Sequence, residues 1–156
     1  MIKISKEIIE KVFEFYKVEC QYLIKAELDY PIAKGIFKIP RSFYTKEGIE
    51  SGHFNATDMM ICYNQLAFAF FIDSIQRDLI QGIEKNLSLE RRFQEGLIIG
   101  MNNIKFRKPI NPKEFEGKIK LEKIIPKRDD LIFFNTSYDF ENGKATGNVD
   151  LAFFKQ

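Results

Sequence analysis

The sequence predicts an α+β domain in which one antiparallel sheet wraps a single buried helix. Three observations carry that prediction. The segment Met59–Ile72 is apolar nearly all the way round, six runs of residues alternate with period two, and 156 residues are enough for one core but not for two. The expected organisation is therefore one domain spanning residues 1–156.

A first helix is expected after Ser5, a good N-cap, because Ile8, Ile9, Val12, Phe13 and Tyr16 recur at three- and four-residue spacing as far as Lys17. From Cys20 to Tyr30 the period drops to two. Tyr22, Ile24, Ala26, Leu28 and Tyr30 share one strand face, and Gln21, Lys25, Glu27 and Asp29 share the other. After Pro31 a second strand begins at Ala33 and stops at Pro40. The stretch Arg41–Gly52 is polar and turn-rich. Asn55 then caps the apolar helix, with Asp58 three residues on completing a capping box. A helix without a polar face has to be surrounded by protein.

Ser88 is placed to cap a short helix through Arg92, and four alternating runs follow: Leu97–Phe106, Phe115–Ile125, Leu131–Phe140 and Lys144–Phe154. Each has one wet face. Ile119, Leu121 and Ile125 oppose Lys118, Lys120 and Glu122, for example. Asn142-Gly143 supplies the positive φ angles of a type I′ turn, which makes the last two strands antiparallel neighbours. A ferredoxin-like domain would need a second amphipathic helix between the later strands, and residues 97–156 contain none. Helix, two strands, buried helix and four strands make a hotdog fold.

Composition narrows the function. There are 24 basic and 22 acidic side chains, a net charge of +2, and no basic binding helix or RNA-binding aromatic strand, which argues against nucleic acid as a partner. Charges interrupt the N-terminal apolar residues every two or three positions, unlike a secretory or membrane-spanning segment, so a cytoplasmic protein without membrane insertion is expected. Cys20, Cys62 and the single histidine, His53, are too few for a disulfide framework or a structural zinc site. No metal or redox cofactor is expected. Cys62, on an apolar helix, reads as an inert buried thiol.

The runs Ser51-Gly-His-Phe-Asn-Ala, Cys62-Tyr-Asn-Gln-Leu-Ala-Phe and Phe106-Arg-Lys-Pro-Ile-Asn-Pro resemble the FcoT-type hotdog family of fatty acyl-thioester enzymes. The resemblance implies action on long-chain acyl-CoA or acyl-carrier-protein thioesters, with coenzyme A or phosphopantetheine entering as part of the substrate. Hydrolysis is the first expectation. Conjugate addition of glycine to an α,β-unsaturated acyl-carrier-protein is the alternative, and a non-catalytic acyl or carrier-protein binding module is the second. The resemblance places Tyr16, Tyr44, Asn55 and Asn64 in the site, with Glu47 the other occupant of the Tyr44 position by counting.

The residues themselves support an overlapping set. Either reaction puts negative charge on the thioester oxygen, and a helix N-terminus with unpaired N–H groups stabilises it. Asn55 either adds an amide donor there or only caps the helix. His53 either exchanges a proton near neutral pH or hydrogen-bonds backbone. Asp58 is a candidate general base for water, at an N3 position where an acid favours the helix anyway.

Asn64, nine residues beyond Asn55, points to the opposite side of the helix at 100° per residue if both are helical; either Asn55 acts from the non-helical lead-in, or Asn64 works elsewhere, for instance against a partner subunit, or it satisfies buried backbone. Lys105, Arg107 and Lys108, and separately Arg91-Arg92, are positioned for phosphates or an acidic carrier protein, or are plain solvated charge. Ser51 near His53 lacks the surroundings of a serine triad. Tyr63, Phe68, Phe70 and Phe71 line an acyl tunnel or form core. A dimer or higher homo-oligomer is expected, because a sheet wrapped on one helix leaves edge strands to be hidden.

Overall fold

The computed structural model describes residues 1–46, 48–49, 52–83, 85 and 96–154. Ser88–Arg92, including Arg91, and also Glu47 and Ser51, lie outside the described residues.

Seven strands form one antiparallel sheet: β1 (Ile2–Lys3), β2 (Leu23–Asp29), β3 (Ile32–Phe37), β4 (Leu97–Phe106), β5 (Phe115–Arg128), β6 (Leu131–Phe140) and β7 (Ala145–Phe154). Their order is β1-β2-β3-β5-β6-β7-β4, which leaves β4 as a long edge strand. Among the described residues two α-helices accompany them, α1 (Lys6–Phe13) and α2 (Ala56–Gln76). The inner face of the sheet presents Phe37, Phe115, Ile119, Phe134, Tyr138, Phe140 and Val149, all buried, and α2 lies against it. Each such ring taken out of water contributes about 1.5–3 kcal/mol, and these rings share the core with a larger set of buried Ile, Leu, Val and Ala side chains. Ile8, Ile9 and Val12 of α1 close the core from the other side. The hotdog architecture is the one predicted.

Several boundaries differ from the sequence reading, each for a local reason. β1 is a two-residue strand, too short to leave a periodic signal, that pairs with Glu27 and Leu28. Helix α1 is capped by Ser5, whose Oγ accepts the Ile8 N–H at 3.3 Å, but ends at Phe13 rather than Lys17. Its continuation tightens into turns in which Phe15 N–H reaches Val12 O and Tyr16 N–H reaches Phe13 O. Cys20 belongs to a 3-10 turn (Val18–Cys20), not to the strand. A register shift between Leu23 and Lys25 turns Ile24 outward, 51% exposed, and puts Leu23 in the core instead. A second shift between Leu121 and Lys123 ends the inward alternation of β5 before Ile125.

Helix α2 runs longer than its apolar stretch because the capping box sets its start. The β6–β7 turn has positive φ at Asn142 (53°) and Gly143 (87°) as expected, and also at Glu141 (50°). Lys144 falls in this turn, its N–H bonded to Glu141 O, and β7 begins one residue later. Gly117 is required by close packing, since a Cβ there would meet Phe140 Cε1 at 2.4 Å.

Candidate active site

The start of α2 is held in place before any chemistry is considered. Phe54 is buried, its N–H bonds Ile110 O at 3.2 Å, and its ring packs against Phe115, Phe140 and Phe106. Next to it, Asn55 Oδ1 accepts the N–H groups of Thr57 (2.9 Å) and Asp58 (3.1 Å), while the Asn55 N–H donates to Asp58 Oδ2 at 3.2 Å. Both halves of the predicted capping box are present.

The box extends into a relay. The Asn55 amide nitrogen donates to the Tyr44 hydroxyl, and that hydroxyl donates to Asp58 Oδ1 at 3.1 Å. Asp58 is 1% exposed, and burial raises its pKa above the ordinary carboxylate value, against the lowering effect of the Asn55 N–H, the Tyr44 hydroxyl and the charge of His53. A carboxylate of raised basicity, hydrogen-bonded to a tyrosine, is equipped to take a proton from an incoming nucleophile. Burial, first of several causes, lifts the pKa of Tyr44 further above the usual tyrosine value.

His53, Asn55, Arg107 and Lys108 line one cavity of about 380 Å³ with Phe54, Ala56, Phe106 and Pro109. Arg107 is braced there: its N–H bonds Lys144 O at 2.7 Å and its guanidinium donates to Thr146 Oγ1 at 2.6 Å. The turn between β6 and β7 thus carries a cation to the mouth of the helix N-terminus. Helix end and two cations together favour an anion or a developing oxyanion.

Burial, and then the neighbouring Cys62 and Cys20 thiols, push the pKa of the Tyr16 hydroxyl up to about 12. Cys62 itself is fully enclosed, and burial drives its thiol well above the usual range. Asn64 is not part of this group. It lines a separate apolar groove of about 270 Å³ formed with Tyr63, Ala67, Phe68, Phe71, Leu151 and Phe153 and closed by Leu97 and Ile98 of β4. Asn55 stands in the extended, non-helical lead-in to α2 (φ −131°, ψ −175°), and Asn64 lines a different groove, so the two do not share one helix face. Of the aromatic residues expected in a tunnel, Tyr63, Phe68 and Phe71 border this groove, whereas Phe70 is core, stacked on Tyr30 and edge-on to Phe71.

One polar residue that matters was missed in the sequence. Gln65, 0% exposed, accepts the N–H groups of Tyr22 and Leu23 at 3.1 Å each and donates to Cys20 O at 2.6 Å. Its signal was available: a glutamine on a helix with no wet face has to satisfy buried backbone.

Residues 11–153 match the FcoT-like thioesterase domain. The chain belongs to that family. The FcoT-like domain is similar over almost its whole length to curated enzymes called (2E)-enoyl-[ACP] glycyltransferase. One from Mycobacterium marinum is 29% identical over 96% of this chain and 86% of its own, and one from Streptomyces coeruleorubidus is 28% identical over 96% of each. Among solved structures, zebrafish thioesterase superfamily member 2 superposes with a TM-score of 0.53 at 11% identity, covering 97% of this chain and 95% of that one. The dehydratase domain of RzxB from Pseudomonas fluorescens gives 0.54 at 12%, covering 97% of this chain and 49% of that one. At such identities these two establish the hotdog fold. Family membership and the similarity to the curated enzymes make the FcoT-like domain an acyl-thioester enzyme. Among the described residues, no helix is long and apolar enough to cross a membrane.

Proposed function

We propose that this FcoT-like domain adds glycine to the β carbon of an α,β-unsaturated fatty acyl group carried on acyl carrier protein. The observation that carries the reading is the Asn55–Tyr44–Asp58 relay at the start of α2, beside a cavity that also holds Arg107 and Lys108. The relatives named above, similar from end to end, support this reaction over hydrolysis as the first choice.

In this reading the amine lone pair forms the new C–N bond at the β carbon, and the double-bond electrons move onto the thioester oxygen as an enolate. The amine proton passes to Asp58, with the Tyr44 hydroxyl holding the carboxylate in position. A proton then returns to the α carbon, and the thioester bond is kept. The enolate oxygen faces the positive end of the α2 dipole and the second N–H of the Asn55 side-chain amide, a donor of a kind worth about 3–4 kcal/mol of barrier. His53 lines the same mouth and in this reading returns the α proton. Arg107 and Lys108 hold the phosphate of the pantetheine arm. The apolar groove beside Asn64 takes the acyl chain, its amide at the polar end of an otherwise greasy wall. The working unit is a homodimer joined through β4, a ten-residue edge strand with Leu97, Ile99, Ile104 and Phe106 exposed.

Intact-mass analysis of an enoyl-carrier-protein incubated with the enzyme, with and without glycine, tests the reading. A mass gain equal to glycine is expected. Loss of the acyl group would instead assign hydrolysis, with Asp58 activating water, and an unchanged mass would leave a binding module.

A further inference from the structure

The groove assigned to the acyl chain meets the tail of α1 at one margin. Tyr63, Asn64, Ala67, Phe68 and Phe71 line it from α2, while β4 and β7 line it from the sheet. On a helix turning about 100° per residue those five side chains share one stripe, with Asn64 and Phe68 along one margin. Next round the helix, about 60° from Phe68, is Gln65. Gln65 binds the chain at Cys20, Tyr22 and Leu23, just beyond the tail of α1.

Phe15 stands at that margin. Its ring meets the Phe68 ring edge-on, with centroids 5.7 Å apart and planes at 67°. Both rings are half-buried. Phe13 and Tyr16, on either side in sequence, pack against the main core, while Phe15 turns to Phe68. The main chain that carries Phe15 is tied on both sides. Its N–H reaches Val12 O at 3.3 Å, and the Gln21 amide nitrogen bridges the carbonyls of Phe13 (3.4 Å) and Tyr16 (3.3 Å). Those carbonyls lie where the end of α1 leaves acceptors without intrahelical partners, so Gln21 fixes the turn as well as satisfying it. With the backbone held, the size of side chain 15 sets how far the Phe68 ring can move away from the groove.

We propose that Phe15 is a positioning residue for acyl-chain selection, which acts by holding the Phe68 ring against the groove and so limits the longest chain the groove takes. This rests on the acyl-chain assignment above. A smaller side chain at position 15 lets the Phe68 ring swing outward and admits more methylenes; a larger one presses it inward and admits fewer.

Calorimetric binding of the series S-octyl-CoA to S-octadecyl-CoA tests it, since these thioethers undergo no reaction. In the parent, affinity should climb about fourfold per added methylene until the groove is full, then level off. In Phe15→Ala the climb should continue past that length, and in Phe15→Trp it should stop short of it. Phe15→Leu, which keeps an apolar side chain, should also pass the parent's limit and serves if Phe15→Ala does not fold. A merely structural role for Phe15 would not move the limit in opposite directions. Variants that level off with the parent, or that all shift the same way, overturn the proposal and leave the groove assignment standing. A parent affinity independent of chain length overturns both.

Discussion

Tyr44 donates its hydroxyl proton to Asp58 Oδ1 at 3.1 Å, joining a residue of the turn-rich segment before α2 to the third position of that helix. The bond couples a partly exposed ring to a carboxylate that is almost wholly buried. It also holds the Asp58 pKa down against burial, which raises it. Tyr44→Phe removes that restraint, so the acid limb of the kcat profile should move to higher pH. A profile superimposable on the parent's would show that Asp58 is not the base.

The same carboxylate makes stability pH-dependent. Its folded pKa is raised above 3.8, so the folded state binds the proton more tightly than the unfolded state does. The resulting stability is complete below the unfolded value and is lost as pH rises through the folded one. Asp58→Asn has no such titration. Urea melts from about pH 3.5 to about pH 7 should therefore show the parent losing stability relative to Asp58→Asn as pH rises. A gap between the two that is flat with pH would contradict the burial argument.

Asn55 combines two roles that substitution separates. Asn55→Ser keeps an oxygen for the Thr57 and Asp58 N–H groups but has no amide to donate, so stability should stay within a few tenths of a kcal/mol while turnover falls about 100-fold. Asn55→Ala should lose the same turnover and about 1 kcal/mol of stability as well. Full activity in Asn55→Ser would reduce the residue to a helix cap.

Gln65→Leu leaves the buried N–H groups of Tyr22 and Leu23 without an acceptor. At about 1–3 kcal/mol for each unsatisfied group, denaturant melts should show a loss of roughly 2–6 kcal/mol. A change below about 1 kcal/mol would mean that water reaches this backbone.

Ala67 borders the groove assigned to the acyl chain, and Ala67→Phe fills part of its 270 Å³. Relative kcat/KM for long over short acyl thioesters should fall, with short-chain turnover kept. An unaltered chain-length preference would move the acyl chain to another part of the molecule.

Ile99→Lys places a charge on the exposed β4 edge, where it meets a second copy if the dimer forms there. Sedimentation velocity should show the parent as a dimer and the variant as a monomer; a monomeric parent removes β4 as an interface.

The sequence by itself determined the fold class and the start of the central helix, because both are written in short-range patterns. Period two marks β6 and β7, all-round apolarity marks α2, and Asn55 with Asp58 three residues later marks its capped end. The same local chemistry put Asn55 and Asp58 among the site candidates, while Tyr44 entered through family resemblance. Only the tertiary structure decided which candidates meet. Tyr44 reaches Asp58, and Arg107 reaches the mouth at Asn55, through a loop path and a sheet crossing that no spacing along the chain encodes. It also decided that Asn64 faces a different cavity and that a register shift reverses Ile24 and Leu23. Local hydrogen bonding and periodicity are properties of neighbouring residues; convergence of distant side chains depends on how the sheet closes around the helix.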